Sequence, residues 1–207
     1  MITALVMATL AVAPPGPDPG RGSRLWTELG ATRYSAAFAA SRGDNIGTKG
    51  IEGFGARIRS GLGFPIGGGF FLGPTLGFEY AATGTSGTAC CGTIHGVTTA
   101  RVGLEAALYP SVNIGFRVSG GFGLATSTLH GDRDARERNG PLSNVSGYGS
   151  YWTVALARDY NVGARARIGG VLRLESEAVI GGSGDHIYHW RTLTPSFSLV
   201  VLSHFGG

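Results

Sequence analysis

The charged side chains able to do ionic or acid–base chemistry stand singly and at even spacings. Arg57 and Arg59, Arg101 and Glu105, Arg165 and Arg167, and Arg173, Glu175 and Glu177 are the recurring groups, with Glu79 and Arg117 in similar surroundings. Even spacing puts side chains on one face of an extended strand. The chemistry this predicts is ion pairing between neighbouring strands rather than catalysis. Seven arginines face four glutamates in this set, so the space they share is expected to carry excess positive charge. Two uses are open to such a space: a plug of ion pairs, stabilising once every partner is satisfied, or an anion-selective conduit. A barrel of eight strands has an interior just filled by its side chains, which favours the plug.

Other reactive residues do not assemble into a site. Ser203 and His204 are adjacent, so they point to opposite faces of a strand. No His-x-Ser pair occurs, and no catalytic residue is assigned. Asp185, His186 and His189 form a D-H-x-x-H pattern that lacks a fourth ligand, so no metal is expected. Cys90 and Cys91 are adjacent in a Gly/Thr/Ser stretch, a spacing outside the zinc patterns, and read as a loop pair. No glycine run opens a helix as a phosphate loop would, and no cofactor is expected. The formal net charge is +4, almost all of the positive charge being arginine, with Lys49 the single lysine. Nucleic-acid binders cluster their basic residues on one face. These are scattered, so nucleic acid is not an expected partner.

The elements that must position the charges are strands. The chain carries 37 glycines, which disfavour helix, and apolar alternation of period two recurs from residue 24 to the C-terminus. Phe70, Leu72, Pro74, Leu76, Phe78 and Tyr80 alternate with Phe71, Gly73, Thr75, Gly77 and Glu79. Ala100 to Leu108 alternates with Arg101, Gly103, Glu105 and Ala107, and Val112 to Leu124 with Arg117 and small residues. Similar segments are expected near 52–63, 147–158, 164–175 and 196–205. In the first, near 25–40, Leu25 and Leu29 fall out of phase with Tyr34, Ala36 and Phe38, which predicts a bulge. Pro74 and Pro195 cannot donate to a ladder, so a bulge or strand end is expected at each. The connections alternate long and short: SRGDNIGTKG, PIGGG, ATGTSGTACCGT, YPS, STLHGDRDARERNGPLSNVS, DYNVG and GGSGDHIYH. That order predicts an all-β, eight-stranded antiparallel up-and-down transmembrane β-barrel.

A soluble ligand-binding barrel would alternate too, with its apolar face inside. The polar face here holds Gly, Ser and Ala with isolated Arg and Glu, suiting a narrow interior. Trp26, Phe64, Phe70, Tyr80, Tyr109, Tyr148, Trp152, Trp190 and Phe205 gather towards strand ends, as interface girdles do. The apolar face is therefore expected outside. Residues 1–13 are expected to be a signal peptide of atypical form, without a basic residue before the apolar run. Residues 14–23 read as a Pro/Gly linker and 24–207 as the barrel domain.

Strand number, loop asymmetry, an Arg/Glu-bearing interior and a last strand ending SFSLVVLSHF make the chain similar to the small outer-membrane barrels of the OmpA transmembrane-domain and OmpX type. The resemblance spans residues 24–205. It implies the outer membrane of a Gram-negative bacterium, a monomer, and a structural or surface-interaction role displaying four extracellular loops. It also implies outer-membrane lipid, lipopolysaccharide and the barrel-assembly machinery as partners. Some eight-stranded barrels modify lipid A, so a lipid A-modifying enzyme is the alternative role. Within the loop HGDRDARERNG, Arg133, Arg136 and Arg138 are candidate contacts for lipopolysaccharide phosphates, against a plain solvated hairpin tip.

Overall fold

Side chains alternating with period two, separated by glycine-rich turns, leave one way to satisfy the backbone, which is pairing between strands. The structure, a computed structural model, describes residues 22–42, 45–86, 93–111, 115–132, 144–163, 165–183 and 186–205. Residues 1–13 and most of the 14–23 segment lie outside the described residues, as do Cys90, Cys91, Val112, Ile114, Arg133, Arg136, Arg138, Ala164 and Asp185.

Eight strands follow in order: β1 (Ser23–Arg42), β2 (Asn45–Gly67), β3 (Phe70–Ser86), β4 (Thr93–Ser111), β5 (Phe116–Asp132), β6 (Asn144–Asn161), β7 (Ala166–Ser183) and β8 (His186–Phe205). Each pairs antiparallel with the next, and β8 returns to β1 to close the barrel. Closure leaves no free strand edge. The strands begin and end such that Ser23 and Phe205 face each other at one end, called here the terminal end, with the β1–β2 hairpin at the opposite, loop end.

The outer wall is apolar. Leu76, Phe122 and Leu124 are each about two-thirds exposed (65%, 67% and 66%), and Phe54, Phe78, Leu104, Val154, Leu172, Phe197 and Leu199 stand out beside them. A soluble barrel with its apolar face inside is thereby ruled out. Towards the loop end the outer wall turns polar. Thr98 is 2.8 Å from His130, His130 is 3.2 Å from Asn144, and Thr128 is 2.9 Å from Ser146, forming a hydrogen-bonded collar across β4, β5 and β6.

Several expectations need correction. The strands are 17 to 23 residues long, so they absorb most of the expected long connections. SRGDNIGTKG and GGSGDHIYH contract to residues 43–44 and 184–185; only 87–92 and 133–143 remain as longer connections. Ladder bonds form between backbones, so a polar hairpin end pairs as well as an apolar one, and hydropathy alone marks strand ends too early. The expected turn YPS lies within β4, which runs to Ser111, and Gly115 before β5 has a φ of 66°. No bulge occurs along β1: its register with β2 runs unbroken from Arg24↔Gly63 to Arg42↔Asn45. Leu25 and Leu29 lie outside, and it is Tyr34, Ala36 and Phe38 that depart from expectation, buried inside. Nor do strands end or bulge at Pro74 and Pro195. Pairing is missing between Gly61↔Thr75 and Phe64↔Leu72, and between Thr32↔Ser196 and Ala36↔Thr192, but the register resumes unshifted. A missing N–H removes one ladder bond without forcing an extra residue. Of the expected girdle, Phe64, Phe70, Tyr80, Tyr148, Trp152 and Phe205 are exposed, whereas Trp26, Tyr109 and Trp190 turn inward.

Candidate functional site in the barrel interior

Inward-facing side chains are sorted into three layers. At the terminal end Trp26, Phe71, Tyr109, Ala155, Ala157, Val171, Val200 and Leu202 make an apolar layer. The Arg24 guanidinium lies 3.8 Å from the Phe71 ring centre and 3.9 Å from that of Tyr109, a cation–π clamp. At the loop end a second apolar layer holds Tyr34, Phe38, Ile51, Val97, Leu129, Val145, Val179, Tyr188 and Trp190. Phe38 and Tyr188 stack with ring centres 5.5 Å apart.

Between them lies a layer of charge. Arg59 of β2 donates to Glu175 of β7 at 2.6 Å and to Glu105 of β4 at 3.0 Å. Arg57 donates to Glu175 at 2.9 Å and to the Ser196 hydroxyl at 2.9 Å. Arg101 of β4 donates to Glu79 at 2.9 Å and pairs with Glu177 of β7 through Nε. Arg173 of β7 forks onto Glu28 of β1 at 2.8 and 3.1 Å and also reaches Glu105 at 3.0 Å. Arg117 stands 3.6 Å from Glu28. Strands β2 and β7, β4 and β7, and β1 and β5 are not neighbours in the sheet, so these pairs meet only across the lumen.

Of the charges expected inside, Arg57, Arg59, Glu79, Arg101, Glu105, Arg117, Arg167, Arg173, Glu175 and Glu177 are buried there. Arg165 is not; it is half-buried in the turn before β7, where its carbonyl accepts from the His204 amide at 2.9 Å. Sequence reasoning missed Arg24, Glu28 and Asp159, all buried. Asp159 opens the segment DYNVG, which reads as a turn, and the broken alternation of β1 hides the other two, although Arg24, Trp26 and Glu28 repeat the even spacing seen elsewhere. The expected excess of positive charge is therefore corrected. Among the described residues, buried Arg24, Arg57, Arg59, Arg101, Arg117, Arg167 and Arg173 stand against buried Glu28, Glu79, Glu105, Asp159, Glu175 and Glu177, seven against six.

Such pairs tie together strands that lie on opposite sides of the lumen. Removing either member of a pair strands its partner as an uncompensated buried charge. The cavity bordered by Arg24, Trp26, Glu105, Tyr109 and Arg117 measures about 20 Å³, room for about one water. Glycines let the large rings fit: a Cβ on Gly61 would stand 2.5 Å from the Trp26 ring, and one on Gly147 2.5 Å from the Trp190 ring. Ser203 and His204 stay adjacent on β8, facing opposite sides. Among the described residues no three His, Cys, Asp or Glu side chains gather as a metal site.

The fold is that of small outer-membrane barrels. OprG from Pseudomonas aeruginosa superposes with a TM-score of 0.58 at 10% identity, covering 91% of this chain and 100% of that one. The outer-membrane protein AlkL, determined in DMPC lipid bilayers, gives 0.48 at 11% identity over 95% of this chain and 96% of its own. Neisserial surface protein A gives 0.44 at 12% identity over 87% and 97%. No protein-family model matches the chain, and no curated protein matches it. At 10% identity the likeness to OprG is one of fold.

Proposed function

We propose that this chain is a transmembrane barrel of the outer membrane of a Gram-negative bacterium, acting as a closed scaffold that presents its loop-end surface rather than as a pore or an enzyme. The observation that carries the reading is the pairing of an apolar outer wall with a near-neutral, cross-braced charge layer inside. A channel needs a free path and charges that an ion can visit. Here each guanidinium of the central layer is engaged by carboxylates from distant strands. The resemblance of the last strand to that of small outer-membrane barrels supports insertion by the barrel-assembly machinery as a monomer. Arg133, Arg136 and Arg138 are proposed as loop contacts for lipopolysaccharide phosphates.

Two linked experiments test this. The chain from residue 24, refolded in detergent, should run faster unboiled than boiled on a gel, as a closed barrel does. The same preparation in a planar bilayer should give no stable conductance. A protein that shows no gel shift and stays soluble without detergent contradicts the membrane reading; steady ion current contradicts the closed interior.

A further inference from the structure

The near balance of buried charge conceals a sorting along the barrel. Arg57, Arg59 and Arg173 are engaged with Glu28, Glu105 and Glu175, three against three. Arg101 pairs with Glu79 and Glu177. The buried charges that remain among the described residues are Arg24, Arg117 and Arg167 with Asp159. Each of these arginines is the second residue of its strand, in β1, β5 and β7, all of which begin at the terminal end. Asp159 stands two residues before the end of β6, at the same end. Among the described buried charges, cations therefore outnumber carboxylates at the terminal end.

Arg117 shows what this end requires. It is 1% exposed, yet its Nε and Nη2 have no hydrogen-bond acceptor among the described residues. Glu28 stands 3.6 Å away, beyond a good hydrogen bond, and is already forked by Arg173. A buried guanidinium without acceptors is costly, so an acceptor is called for here. Arg117 borders the pocket of about 20 Å³, with Gly63 of β2, Phe71 of β3, Ala107 and Tyr109 of β4, and Arg24 of β1. The Arg24 guanidinium is held there against the Phe71 and Tyr109 rings. Glu105 also borders the pocket, but its two oxygens accept from Arg59 and Arg173. The volume suits one small species about the size of a water molecule. Water would accept the N–H groups but leave the charge uncompensated away from solvent. A polyatomic oxyanion is too large. A monatomic anion meets both demands.

We propose that this pocket at the terminal end of the lumen binds one chloride ion. Arg117 donates to it through Nε and Nη2, and Arg24 adds a second positive charge beside it. The ion offsets part of the excess at this end and ties β5 to the strands across the lumen. The site stands on the geometry of the interior and does not depend on which membrane holds the barrel.

The test uses the full chain, refolded in a nonionic detergent and a halide-free gluconate buffer. Chloride is titrated in and the chlorine-35 NMR linewidth is read, because an ion exchanging between a protein site and the bulk broadens the line. The wild type should broaden it. Bromide should reverse the broadening, and sulfate at equal ionic strength should not. Arg117→Gln should lower the excess linewidth about tenfold, the loss of charge-assisted contacts. Gly63→Ala keeps every charge. Its Cβ would meet nothing nearer than 3.5 Å, so the barrel accommodates the methyl group, which takes up space in the pocket. It should lower the excess linewidth to a similar degree. Arg158→Gln, an exposed arginine near the terminal end, should leave it unchanged. A wild type that shows the gel shift but no excess broadening overturns the site, the pocket then holding water only. Broadening that sulfate reverses as well as bromide does overturns it too. So does broadening that survives in Gly63→Ala or falls equally in Arg158→Gln. If Arg117→Gln loses the gel shift, Gly63→Ala decides alone. A wild type without the gel shift contradicts the closed barrel and the site with it.

Discussion

Glu175 is the most heavily shared carboxylate of the interior, accepting from Arg57 and Arg59 and lying 3.5 Å from Arg101. Glu175→Gln keeps the shape and removes the charge, leaving three guanidinium groups undercompensated. The expected cost is about 3–5 kcal/mol, the range for breaking a buried pair from one side. Urea unfolding of the lipid-inserted barrel measures it. Glu52→Gln on the outer wall should change stability by no more than about 0.5 kcal/mol in the same assay. Equal stabilities for the two variants would show that the charge layer does not hold the barrel. Gly61→Val tests the fit of the rings: its side chain meets the Trp26 ring, so refolding yield should fall and Trp26 fluorescence should shift. Most of this layer was legible because spacing alone reveals a shared face. What spacing cannot reveal is which carboxylate meets which guanidinium. Arg57 and Glu175 are paired by barrel closure across 118 positions of chain.

At the scale of the strand, phase and length were read with different success. Phase was clear in β3 to β8, where large apolar residues repeat every second position. It failed in β1 because Tyr34, Ala36 and Phe38 are apolar yet face inward, where they build the loop-end layer. An interior that is itself partly apolar blurs the contrast on which alternation depends. Length was underestimated for a related reason. At about 3.3 Å per residue and a tilt near 45°, strands of 17 to 23 residues stand roughly 40–54 Å tall. That exceeds the apolar band of about 25 Å typical of such barrels, so each strand continues as a polar hairpin beyond the lipid. The ladder gap opposite Pro195 gives a prediction at this scale. Backbone amides of Arg33 to Ser35 should exchange with solvent deuterium faster than those of Thr27 to Ala31 on the same strand. Pro195→Val, which restores an N–H, should slow them. Uniform protection along β1 would mean the seam is closed through that segment.

The barrel carries an apolar outer wall and buries a layer of charge between two apolar layers, unlike a water-soluble protein, whose outer surface is polar. That inversion has an energetic signature. Phe122→Arg, on the outer wall of β5, should cost about 2–4 kcal/mol if the residue sits in hydrocarbon, whereas on a water-facing surface the change would be nearly neutral. Unfolding in liposomes distinguishes the two. The chain's tryptophans give the most direct reading, because the structure sets one outside and two inside. Trp152, midway along β6, is 48% exposed, while Trp26 and Trp190 are 5% and 1% exposed. The measurement is fluorescence quenching by lipids brominated within the acyl chain, on a Trp26→Phe/Trp190→Phe protein that keeps Trp152 and on a Trp152→Phe protein that keeps the other two. Strong quenching of Trp152 by bromolipid, with little by aqueous acrylamide and little bromolipid quenching of Trp26 and Trp190, is the predicted result. Trp152 quenched by acrylamide and untouched by bromolipid would place the apolar wall in water and contradict the account.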